Sequence, residues 1–114
     1  MEQRKAPEQP KPPKAYEEFV RRFPKLGEAG DAIAEAGNEG PLDDRMRRLI
    51  KLAVAVGALR EGAVRASVRK AFASGIALRD LEQVVALAAA TIGLPAAVAV
   101  FSWIREEAEK AKAS

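Results

Sequence analysis

From Gln83 to Ile104 the chain runs 22 residues without a charge. That is long enough to span a bilayer, and no other feature narrows the possible folds as much. Gly93-Leu94-Pro95 interrupts the run near its middle, and this pairing of glycine with proline ends a helix. The run is alanine-rich, which drives membrane insertion weakly, and charges close on both flanks at Arg79, Asp80, Glu82, Arg105 and Glu106. The stretch therefore reads as two buried helices meeting at a break, with no membrane partner. Composition agrees: alanine fills 24 of 114 positions and aromatics only 5%, favouring helices over strands.

Upstream, Tyr16, Phe19, Val20 and Phe23 recur at helical spacing, so a helix is expected over residues 13–23, ended by Pro24. A second is expected over 25–36, with Leu26, Ala29, Ile33 and Ala36 inward, then a loop through Gly37 to Pro41. Asp43 suits the cap of a third helix, on which Met46, Leu49, Ile50, Ala53, Val54 and Gly57 form one apolar stripe. A fourth covers residues 61–74, with Val64, Val68, Ala71 and Phe72 inward and Gly75 as its stop. Leu78 opens the fifth, which runs to Ile92. The sixth begins at Pro95 and frays through the charged end from Arg105 to Ser114. Residues 1–14 hold four of the seven prolines and several cations; they read as a disordered basic tail before a helical domain over 15–114.

The expected fold is all-α, a compact bundle of about six helices. The helix over 78–92 is apolar on nearly every side, and about 100 residues have limited capacity to cover it. A homo-oligomer is the physical expectation. Ala77 and Leu78 stand where a cap and first turn would be polar, and Leu78 with Phe72 and Ile76 makes an apolar cluster suited to an interface. Val85 and Val100 are assigned to the same role.

There is no cysteine and no histidine. Thiol peroxidase chemistry, zinc–sulfur sites and histidine general-base catalysis are excluded within one chain. No cofactor and no metal site are expected. A net charge of +3 is too small to suggest a nucleic-acid partner. Residues 1–14 lack the apolar core of a leader peptide, so the cytoplasm is the expected location.

The ordered segments GPLDDRMRRLIKLAVAVGAL, EGAVRASVRKAFASGI and LEQVVALAAATIGLPAAVAVFSWIRE resemble the carboxymuconolactone decarboxylase-like family, which includes the alkylhydroperoxidase D-like proteins. The resemblance implies that fold, and closed homo-oligomers, trimers or hexamers. It also implies where catalytic groups would stand. The peroxidase branch carries a glutamate, eleven residues, then Cys-x-x-Cys-x-x-x-His. On this chain the glutamate position is Arg48, the cysteines Arg60 and Ala63, and the histidine Ser67. A cysteine-free branch has histidines that fall on Arg65 and Ser67. None of these keeps the family's chemistry.

Three readings stay open. The first is a family member that has lost catalysis, natural or redesigned, whose role is structural self-assembly as a trimer-based homo-oligomer. The second is an active family-like enzyme, a decarboxylase-type lyase or a peroxidase, using Arg and Glu in place of the lost groups. The third is binding of a small carboxylate by Arg48, Arg60, Arg65 and Ser67, since guanidinium groups bind carboxylates in bidentate fashion. Against the third, Arg65 lies four residues after Glu61, an ordinary helical ion-pair spacing.

Overall fold

The computed structural model describes residues 13–113. It contains α1 (Lys14–Arg22), α2 (Pro24–Gly37), α3 (Asp44–Gly57), α4 (Glu61–Ala73), α5 (Leu78–Ile92) and α6 (Leu94–Ala113). Among the described residues there is no strand, and no helix is long and apolar enough to cross a membrane. The tail expected over residues 1–14 lies outside the described residues except at its end, where Lys14 already opens α1.

The helices fall into two compact units, α1 with α2 and α3 with α4 to α6. In the first, Pro24 opens α2 at its first turn, where a missing N–H costs nothing. Gly27 lets the helices approach closely: a Cβ there would stand 3.1 Å from Val20 Cβ. The rings of Phe19 and Phe23 pack tilted at 5.4 Å. This hairpin has no buried residue. Leu26, Ala29, Ile33 and Ala36, expected inward, are exposed; two helices by themselves cover only the strip along which they meet.

In the second unit, α3 packs on α4 and α5, and α6 closes the ring by packing on the same two. Leu52, Val56, Val64, Val68, Leu81, Val100 and Ile104 are fully buried at its centre. The stripe read on α3 is corrected here. Leu52, Ala55 and Val56 are buried, whereas Met46, Ile50 and Val54 are exposed, Val54 by 67%. α3 is apolar on two faces, and helical period alone cannot choose between them.

Three of the residues assigned to an interface also change place. Ile76, Val85 and Val100 belong to the core of the single chain, and Phe72 and Leu78 are half-buried against it. α5 still keeps an open side, where Leu87 is 71% exposed. The expected fraying after Arg105 does not occur: α6 continues to Ala113, because Ile104, Glu107 and Ala108 are all buried.

Candidate functional site

The site is set by the turn between α3 and α4. α3 ends in a Schellman motif, in which the Arg60 N–H donates to Ala55 O (3.1 Å) and the Leu59 N–H to Val56 O (3.0 Å). The αL position falls on Leu59 at φ 53°, where glycine is the usual occupant. The turn puts Arg60 at the N-cap of α4, without a side-chain cap bond, and Ala63 in its first turn. α4 ends in a second Schellman motif, here with Gly75 at φ 82° and the Ile76 N–H donating to Ala71 O. The cap lost before α5 is absent as expected: Ala77 holds the N-cap position with no side-chain bond.

Between α3 and α4 lies a cleft of about 210 Å³, lined by Arg48 and Lys51 on one side and Ala63, Ala66, Ser67 and Lys70 on the other. It adjoins a wider groove of about 400 Å³, lined by Ile50, Val54, Ala55, Ala58 and Arg60; Lys51, Ala63 and Ser67 border both. Positions 48, 60, 63 and 67, at which the resemblance implies the catalytic groups, therefore border one continuous depression. Spacing alone placed Lys51 one turn after Arg48 and Lys70 one turn after Ser67, and that signal identifies the two cations missing from the set read from sequence.

Charge in the cleft is unbalanced. Arg48 Nε stands 3.5 Å from Asp44 Oδ1, yet this buried N–H has no hydrogen-bond partner. Among the described residues neither Lys51 nor Lys70 makes an ion pair. Burial pushes the Lys70 ammonium below the usual lysine range, and Lys51, Arg48 and Arg69 push it the same way.

Arg65 does not join the cleft. It turns to the end of α6, where Nη1 donates to Glu107 Oε2 (2.9 Å), Nη2 to Glu106 Oε1 (2.8 Å) and Nε to Glu61 Oε2 (3.0 Å). Arg69 Nη1 (3.1 Å) and Lys110 Nζ (3.3 Å) also donate to Glu107. Glu107, 3% exposed, is the buried charged residue among those described. Burial pushes its carboxyl up, but the bonds from Arg65, Arg69 and Lys110 outweigh that and hold it below the usual range. The bonds it donates to Glu106 and Glu107 keep Arg65 more firmly protonated than an ordinary arginine. The i,i+4 pairing with Glu61 expected from sequence is present; the partners on α6, 41 and 42 residues away, carry no local signal.

Residues 18–106 match the carboxymuconolactone decarboxylase family, covering most of the chain. The chain belongs to that family. No curated protein and no solved structure matches it significantly.

At the positions where the resemblance to the carboxymuconolactone decarboxylase family would put catalytic groups, this chain carries other side chains. A thiol at position 60 or 63 would sit at the start of α4, where a helix N-terminus favours a thiolate. Arg60 and Ala63 stand there instead. Position 48, where the resemblance implies an acid, is a guanidinium, and position 67 is a hydroxyl. Among the described residues no group of carboxylates is arranged to hold a metal ion.

Proposed function

We propose that this family member has lost the family's reactions and that its cleft holds a small organic anion. What supports the reading is the lining itself: Arg48, Lys51 and Lys70 face one cleft, with no carboxylate in its walls among the described residues. A guanidinium only partly matched by Asp44, beside two ammonium groups with no ion pair among the described residues, favours an anion such as a small carboxylate. The anion set read from sequence keeps Arg48 and Ser67 in the cleft and Arg60 in the adjoining groove, and releases Arg65 to the α6 network. Isothermal titration with acetate and benzoate should show binding that Arg48→Met weakens at least fivefold; no heat with either anion would sink the reading. The same protein should show no dithiol-dependent peroxide turnover, since nothing in it cycles between thiol and disulfide.

A second reading, self-association, is favoured by one stripe. Leu94, Val98 and Phe101 are exposed at helical spacing on α6, with Arg105 extending the row over the Phe101 ring at 5.7 Å. Leu87 adds to the exposed apolar surface from α5. Apolar rows of this kind mark protein contacts, and a trimer-based homo-oligomer in the cytoplasm is the form proposed. Val98→Asp, at a position exposed in the single chain, should leave a folded monomer. Sedimentation giving a wild-type monomer at micromolar concentration would exclude self-association.

A further inference from the structure

The proposed anion site leaves the chemistry of its ligand open, and the geometry narrows it. Among the described residues two ammonium groups, Lys51 and Lys70, make no ion pair, while Arg48 is partly matched by Asp44. A monoanion would balance one of the two and leave the other facing it. The donors also outnumber what two carboxylate oxygens accept. They are the guanidinium of Arg48 on the cleft wall, two ammonium groups of three hydrogens each, and the Ser67 hydroxyl, which makes no hydrogen bond among the described residues. A head group with charge near −2 and three acceptor oxygens fits both counts, and a phosphate monoester at neutral pH has both properties.

The groove beside the cleft supplies the other half of the argument. It shares Lys51, Ala63 and Ser67 with the cleft and continues past Ile50 and Val54, a wall of methyl and methylene groups. An inorganic ion would leave this wall wet. A ligand whose charged head ends in an apolar body would cover it, and burial of that body adds affinity in proportion to the area covered.

We propose that the α3–α4 depression takes the phosphate monoester of an apolar alcohol, with the phosphate among Arg48, Lys51, Ser67 and Lys70 and the organic group laid along Ile50 and Val54. This rests on the reading that the cleft binds an anion, and the comparison of ligands separates the two.

The test is titration calorimetry of the full chain at low salt with inorganic phosphate, hexyl phosphate, hexanoate and hexanol. Hexyl phosphate should bind at least about tenfold more tightly than inorganic phosphate, from burial of a few methylenes, and at least about tenfold more tightly than hexanoate. Hexanol should give no measurable binding. Lys70→Met should weaken hexyl phosphate about tenfold. Val54→Asn, at an exposed position whose change leaves the core intact, should weaken hexyl phosphate and leave inorganic phosphate unchanged. Equal affinity for the two phosphates would overturn the apolar half, as it would if a second copy of the chain covered Ile50 and Val54. Hexanoate binding as tightly as hexyl phosphate would overturn the dianion while leaving the anion site standing. Lys70→Met without effect on binding, in a variant that unfolds as cooperatively as wild type, would place binding elsewhere and overturn the proposal. Silence with all four ligands would remove both it and the reading beneath it.

Discussion

Replacing Glu107 with glutamine tests the buried charge of the core unit. The carboxylate is 2% exposed and meets Arg65, itself 18% exposed, at 2.9 Å. A charge-assisted hydrogen bond in such surroundings contributes about 1.5–3 kcal/mol. Arg69 and Lys110 are 38% and 70% exposed, so water screens their contacts and each adds well under about 1 kcal/mol. The glutamine side chain keeps the shape and one acceptor but no charge, and leaves Arg65 with Glu61 and Glu106. The expected loss is about 2–3 kcal/mol, or roughly 10–20 °C in melting temperature for a domain of this size. Urea unfolding at fixed protein concentration measures it, and a cycle with Arg65→Met should give a coupling of about 1–3 kcal/mol. The pH dependence has a definite sign. A carboxyl whose folded pKa is lowered contributes stability that is fully present above its unfolded value, about 4.5, and is lost as pH falls through the folded one. The gap between wild type and Glu107→Gln should thus be constant near neutrality and close in acid. A loss below about 0.5 kcal/mol at pH 7, or a gap that widens in acid, would refute the argument that this network ties α4 to α6.

Three further changes probe other parts of the fold. Leu59→Gly should stabilise by about 0.5–1 kcal/mol, because the αL strain it relieves exceeds the entropy glycine adds to the unfolded chain; a lower melting temperature in calorimetry would show that the Leu59 side chain matters more than its φ. Val100→Asp buries an unpaired charge at a position with 0% exposure and should unfold or aggregate the protein, which circular dichroism would reveal. Lys70→Met should raise the melting temperature slightly at pH 7 and low salt. The folded pKa of Lys70 is lowered, so its charge opposes folding below that value and the penalty is gone above about 10.5; a melting temperature that falls instead would contradict the crowding of cations in the cleft.

Much of the helical order is local chemistry and was legible in the residues. Gly93-Leu94-Pro95 separates α5 from α6, Gly75 takes the αL stop of α4, and positions 48, 60, 63 and 67, which the family resemblance singles out, border one depression. Absent cysteine and histidine exclude the family's thiol chemistry before any fold is known. Tertiary structure decided the rest. α3 offers two apolar faces, and only the packing of α4 and α5 selects Leu52, Ala55 and Val56 for the core while leaving Ile50 and Val54 beside the cleft. Arg65 and Arg48 look alike in sequence, but Arg65 meets Glu106 and Glu107 across the bundle and is neutralised, whereas Arg48 faces Lys51 and Lys70. The charged end of α6 looked ready to fray because the partners that bury Glu107 stand some forty residues away. Helical periodicity carries information about neighbours within a turn or two; the pairing of charges across helices belongs to the packed chain.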